Sequence, residues 1–428
     1  TKGLLNGLGC AGMLATNTIA EGDTRQVGLE QMVVAGTTIY AAYPNEPWPG
    51  KAAVVTSRVH HTNRHWEGVN SIYGKQVGHI SPYLTPGQSW SPEPLKQNYG
   101  IAYQGSIVLG MGYVLQANQA KLMLDADPKN EEVIFPYING QDLNSHPRQE
   151  PSRYVVNFWD WSEERASQYK APYEWIRERV KPERQTVKGD GTYKLRKPLP
   201  ERWWQYAEKR PGLYHAIGRG HLFEKHPKNW NPETEPMETV LAVAATSKTF
   251  RVFPIRNDMI FANTLYIFTK YEEILPYVLS EPFRIWNYAQ SSTMKGDLRV
   301  SVSDSIETFP FGVVDEPLLQ ISQQALDAWT EMMANREMGL TAASAVLSDE
   351  RVNTDDVLSL RNVLSRLDQA VVNQYGCDDV SLDHGFHRVA YLPANQNVRF
   401  TISEDARLEL LERFAKLNQE RCREEREQ

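Results

Sequence analysis

Apolar positions fall in near-continuous short runs at the start of the chain, in β-rich runs broken by Pro and Gly in the middle, and at three- and four-residue spacing at the end. Residues 12–17 read as a short buried strand ending in a polar turn. Asp23 and Thr24 offer caps for a helix carrying Val27, Leu29, Met32 and Val33, and Gly36 closes it. Residues 38–42 and 51–59 read as two further strands. Strand, helix, strand, strand with unbroken apolar runs is the pattern of a sheet covered on both faces. These are too few strands to close a doubly wound domain, so the pattern predicts part of a larger sheet begun upstream of Thr1.

From about Gly87 to Gly312 the chain reads as α+β. Strands are predicted over 154–158, 241–244, 259–261 and 265–268, and helices over 117–125, 163–179 and 271–279. After Pro317 it turns helical. A first helix spans 318–336, with Gly339 as its stop. Thr354 caps a second, in which Val357, Leu360, Leu364, Leu367 and Val371 share one face and Gly376 ends the run. Ser403 caps a last amphipathic helix with Leu408, Leu411, Phe414 and Leu417.

The 428 residues are 41% hydrophobic and 23% charged, which excludes disorder and implies two or three domains. The longest apolar run, residues 106–115, is half of the roughly 20 residues a membrane helix needs. Cys10, Cys377 and Cys422 are widely spaced and odd in number; with no secretory leader in view, a reducing, cytoplasmic setting and no membrane are expected. The net charge of −7 argues against a surface that coats nucleic acid indiscriminately. Its distribution is more telling. Residues 170–228 hold 15 Lys/Arg against 7 Asp/Glu, and residues 315–428 hold 12 against 21. A basic middle suits an anion-facing module, and an acidic tail suits packing or a protein partner.

No Gly-rich dinucleotide or phosphate loop, nucleophile elbow or His-Glu-x-x-His is present. Gly110-Met111-Gly112 reads as a turn or packing element. His60 and His61 are adjacent, so on a strand they face opposite sides and cannot share a metal. No complete catalytic constellation is legible.

Several motifs in order do carry a resemblance. Thr16-Asn17-Thr18-Ile19-Ala20-Glu21-Gly22-Asp23-Thr24-Arg25 is followed by Trp48-Pro49-Gly50-Lys51-Ala52-Ala53-Val54. Then come Pro136-Tyr137-Ile138-Asn139-Gly140-Gln141-Asp142-Leu143-Asn144, Val180-Lys181-Pro182-Glu183-Arg184 and Glu307-Thr308-Phe309-Pro310-Phe311. Gly339-Leu340-Thr341, Leu367-Asp368-Gln369-Ala370-Val371, Tyr375-Gly376 and Leu417-Asn418-Gln419-Glu420-Arg421 complete the series. Together they resemble the MmeI-like restriction-modification enzymes, single chains joining nuclease, adenine-specific DNA methyltransferase and target recognition. The resemblance covers essentially the whole chain. It implies an α/β remnant of a class I S-adenosylmethionine-dependent methyltransferase fold over residues 1–86, an α+β target recognition domain over 87–314 and a helical C-terminal domain over 315–428.

The family's Asn/Asp-Pro-Pro-Tyr/Phe motif and its Gly-rich cofactor loop do not occur in these residues. S-adenosylmethionine is therefore expected in the intact protein but not on this part, and these residues alone are expected not to methylate. The expected partner is double-stranded DNA. Aligned back from Glu307, Lys295 and Asp297 fall where the family reads one base pair, and their order is associated there with guanine. Lys can donate to guanine O6/N7 and Asp can accept from cytosine N4. Arg299, two residues on, shares their face on an extended segment and would reach a neighbouring base edge or phosphate. Without the family context, Lys295 and Asp297 read as a surface salt bridge in a hairpin turn. Expected phosphate contacts are Arg177, Lys181, Arg184, Lys188, Lys194, Arg196, Lys197, Lys248 and Arg251, while Trp203 and Trp204 read as core aromatics. The competing reading is a scaffold that docks a protein through its helical tail and never touches DNA.

Overall fold

The computed structural model describes residues 9–51, 54–86, 92–294, 297–389, 392 and 397–427. Its first sheet contains β1 (Cys10–Thr16), β2 (Thr38–Pro47), β3 (Val55–Thr62), β4 (Asn70–Ile72) and β5 (Lys75–Val77), in the order β1-β3-β2-β4-β5. β3 is antiparallel to both neighbours, so β1 and β2 run parallel to each other. Three consecutive helical stretches, Gly22–Arg25, Gln26–Glu30 and Gln31–Val34, carry the chain between them. Gly36 then turns it at φ +89°, in the left-handed region that glycine enters without a Cβ clash. The alternation of β3 explains its two faces. Ser57, Val59 and His61 are buried, whereas Arg58 points out, bonds Glu46 at 2.6 and 2.9 Å and stacks on Tyr43. A small separate core of Leu29, Ile39, Ala42, Val59, Ile80 and Leu84 results.

The strand expected to be buried, residues 12–17, is instead the outer strand β1. Its side chains alternate between exposed and half-buried, and Leu14 is 56% exposed. Among the described residues no strand pairs with its outer edge. Apolar composition there signals a strand without cover, not a central one.

The middle of the chain contributes β6 (Ala102–Gln104), β7 (Val114–Leu115), β8 (Ile134–Ile138), β9 (Arg153–Val156), β10 (Thr239–Ala244), β11 (Thr246–Ser247), β12 (Phe253–Arg256), β13 (Ile260–Phe261), β14 (Leu265–Phe268), β15 (Ser292–Met294) and β16 (Asp297–Arg299). They form three sheets, β12-β10-β14-β6, β13-β8-β9-β7 and β11-β16-β15. The single helix expected over 163–179 is broken at Ser167–Tyr169; its longer part is α1 (Lys170–Arg179). A second helix, α2 (Glu281–Gln290), leads directly into β15.

The end of the chain holds α3 (Glu316–Asn335), α4 (Leu340–Leu347), α5 (Asp355–Gln374), the ribbon β17 (Gly385–Arg388) and β18 (Val398–Thr401), and α6 (Glu404–Glu427). Gly339 begins α4 rather than stopping α3, and a Cβ there would sit 2.4 Å from the backbone carbon of Ser145. These helices share one continuous apolar core with the three middle sheets. Phe309 lies inside it, with ring centres of Phe283, Phe311, Phe414 and Trp286 at 5.0, 5.0, 5.6 and 6.0 Å. Asn418, fully buried on α6, accepts from the Glu93 amide and donates to the carbonyls of Glu93 and Thr308.

Beside that core runs a buried polar network. Glu281 accepts two hydrogen bonds from Arg284, at 2.6 and 2.5 Å, and one from Thr401 at 2.5 Å. Asp368 on α5 accepts from the Glu281 amide at 2.7 Å and pairs with His384 at 2.9 Å. The start of α2 is thereby fastened to α5 and β18. Most of the motifs that carry the family resemblance serve this kind of packing. Asn139 and Asp142 form a capping box, Tyr375 bonds the Pro310 carbonyl, and Gly376 takes φ +63°.

Candidate nucleic-acid interface

β15 and β16 form an antiparallel hairpin in which Ser292 faces Arg299 and Met294 faces Asp297. β16 also pairs with β11, Thr246 opposite Arg299. The alternation is clear: Leu298 and Val300 are buried, Asp297 is half-buried, and Arg299 is exposed. Asp297 and Arg299 therefore stand on one face, held there by the burial of Leu298. Lys295 lies outside the described residues.

Arg299 opens onto a polar cleft of about 590 Å³ between the hairpin, the strands β6 and β14, and Gly22–Asp23 of the first unit. Tyr266 of β14 lies in its wall; burial pushes its phenol up, while the guanidinium groups of Arg299 and Arg210 pull it down. Gln104 of β6, directly across from Tyr266, donates to the Asn263 carbonyl at 2.8 Å and accepts from Arg210 at 2.9 Å. Arg210 itself holds φ +55°, a left-handed conformation uncommon outside glycine. Asp304 at the cleft accepts from the hydroxyls of Ser301 and Ser303, at 2.8 and 3.0 Å, and burial raises Glu307. The wall thus offers donors of both charge states and acceptors close together, the vocabulary that base edges and phosphates require. Sequence reasoning missed Gln104, Arg210 and Tyr266. They are more than fifty residues from one another, and only the β6–β14 pairing and the Arg210–Gln104 bond unite them.

The basic stretch divides. Lys188, Lys194, Arg196 and Lys197 are exposed, the last two within 3.9 and 3.0 Å of Glu208 and Glu201. Arg177 is ion-paired to Glu174, and Lys181 is half-buried over the Trp203 ring. Arg184 is not a phosphate contact. It is 1% exposed and donates to the carbonyls of Gln205, Val108 and Leu109 at 3.2, 2.9 and 2.9 Å, tying three chain segments together. Arg251 is half-buried rather than enclosed like Arg184. It lies over Trp329 with its Nε closed off, and burial, reinforced by Arg284, pushes its guanidinium down to about 10. Lys248, one residue beyond β11, is exposed. Trp203 and Trp204 are buried, and the Trp204 indole donates to the Trp161 carbonyl.

His61 is buried, with both ring nitrogens lacking a partner, and burial lowers its pKa; His60 stands on the other face of β3 near Tyr40 and Tyr43. Gly112 packs where a Cβ would be 2.8 Å from Arg179 and Val180, which accounts for the Gly-rich fragment. Among the described residues no group of His, Cys, Asp and Glu could hold a metal, and no helix is long and apolar enough to cross a membrane.

No protein-family model and no curated protein matches the sequence. Among solved structures, the fold is shared with a restriction-modification enzyme. That enzyme is the type IIL restriction-modification enzyme MmeI, solved in complex with DNA, with a TM-score of 0.66 and 15% identity over 97% of this chain. The chain spans 50% of the length of that one.

Proposed function

We propose that this chain is the duplex-reading part of an S-adenosylmethionine-dependent, adenine-N6-specific DNA methyltransferase of a restriction-modification system. The observation that carries the reading is the hairpin face of Asp297 and Arg299, set on a three-stranded sheet, with Arg299 opening onto a polar cleft lined by Tyr266 and Gln104. The fold shared with an enzyme solved on DNA supports it. In this reading Asp297 accepts from a cytosine amine, Lys295 donates to the paired guanine, and Arg299 contacts the next base edge or phosphate. Lys188, Lys194, Arg196 and Lys197 contribute phosphate affinity without sequence choice.

Among the described residues no strand pairs with the outer edge of β1, and further strands of a catalytic sheet would add there. In this reading S-adenosylmethionine is held by the rest of the enzyme, and no step of the chemistry is assigned to the described residues. Their part is to grip the duplex, choose the site and orient the adenine toward groups supplied by the rest of the enzyme.

Two assays on the 428-residue chain test this. Duplex binding followed by gel shift should weaken at least about tenfold between ~50 and ~200 mM salt, because phosphate contacts release counterions. Labelled-methyl transfer from S-adenosylmethionine should give no turnover. Salt-insensitive or absent duplex binding would favour the protein-docking scaffold instead, and methyl transfer would show that the catalytic groups lie within these residues after all.

A further inference from the structure

Next to the hairpin lies a second cleft, of about 510 Å³, between the residues that follow β11, the helix α4 and the ribbon strand β18. Two hydroxyl groups in its wall, Thr249 Oγ1 and Ser344 Oγ, are closed off from bulk solvent and have no hydrogen-bond partner. Both residues are at least nine-tenths buried. Buried hydroxyls are normally satisfied, so a pair left open in one cleft calls for an acceptor-rich guest. The surrounding charges fit an anion. Lys248, Arg351 and Arg399 line the cleft against Asp349 and Glu350, and Asp349 is already held by Arg351 through bonds of 2.9 and 2.7 Å. Lys248 is exposed and enters no ion pair among the described residues.

Location selects the source of the anion. Ser247 of β11 faces Leu298 of β16, and Lys248 is the next residue along, on the side of the hairpin's turn. A cation there is within one strand step of Asp297, where a groove reader meets the phosphates flanking its bases. We propose that Lys248, Arg399, Thr249 and Ser344 seat one backbone phosphate of the recognised duplex. The inference rests on the DNA-reading function proposed above. It also gives the acidic C-terminal region a local basic contact with DNA, through α4 and β18, although that region as a whole is net negative.

The test compares the wild-type chain with Lys248→Ala, Thr249→Val and Arg399→Ala on two probes. The first is fluorescence anisotropy with a random-sequence duplex across a salt series. Each charge-removing variant should lower the slope of log affinity against log salt by about 1, equally for any sequence, whereas Thr249→Val should weaken binding with the slope kept. Duplex binding with unchanged slope in Lys248→Ala and Arg399→Ala overturns the seat and leaves the DNA reading standing. The second probe is inorganic phosphate alone, read as a rise in melting temperature. If the wild type fails to bind duplex but phosphate raises its melting temperature and Lys248→Ala abolishes the rise, the cleft serves a free phosphate ligand and the backbone assignment is overturned. If neither probe binds, both proposals fall. The single substitutions lie at an open cleft, and thermal melting without ligand identifies any variant that does not fold.

Discussion

Replacing Arg284 by methionine should cost about 3–5 kcal/mol of stability at pH 7.5, because it strands a buried carboxylate. Burial alone pushes the Glu281 carboxyl up. Arg284, by its charge and its two hydrogen bonds, with Arg251 and Thr401, reverses that and holds it below the ordinary value. The sign of the pH dependence follows. In the wild type the folded-state pKa is depressed, so the contribution of Glu281 is present above its unfolded value of about 4.3 and is lost as pH falls through the lower folded value. In Arg284→Met burial acts unopposed by that partner and the folded pKa rises above the unfolded one. The variant should then regain stability on acidification as Glu281 takes up a proton. Urea unfolding at pH 7.5 and 5.5 measures this: the deficit should narrow at the lower pH, and a deficit that stays constant or widens contradicts the account. The variant should also lose DNA affinity, since α2 runs straight into the hairpin strand β15.

The second large effect is expected at Phe309. Truncation to alanine should cost about 3–5 kcal/mol through lost burial and the cavity left behind. The ring is fully buried and touches aromatics from α2, from the segment preceding α3 and from α6, so the loss separates elements far apart in sequence. Phe309→Leu, which keeps most of the volume, should recover a substantial part. Denaturant midpoints of the two variants check this; a Phe309→Ala midpoint within error of wild type would mean the cluster does not hold the helical tail to the middle sheets.

These two predictions mark where the sequence was informative. Helices with a polar face were readable from spacing: α5 shows its Val357-Leu360-Leu364-Leu367-Val371 stripe, and Gly376 ends it as expected. α2 was not assigned, although Glu281, Arg284 and Asn287 recur at helical spacing; nine of its ten residues are buried, those polar ones included. β1 was misread for the converse reason, an apolar run that lacks cover in this structure. Charge type could not tell Arg184, buried for packing, from Lys188 or Lys248 on the surface. The Asp297–Arg299 face came from a family motif and a two-residue period, both local signals. The cleft behind it depends on Gln104, Arg210 and Tyr266 meeting across the fold, and no local pattern announces that.

The central claim, that the hairpin selects a base pair in duplex DNA, is tested most directly by selection from a randomised duplex library. The wild-type chain and the exchange variant Lys295→Glu with Asp297→Arg would be run side by side. The account predicts that both enrich a motif and that the motifs differ at one base pair, with G·C in the chosen orientation favoured only by the wild type. Identical motifs from two folded proteins would contradict it.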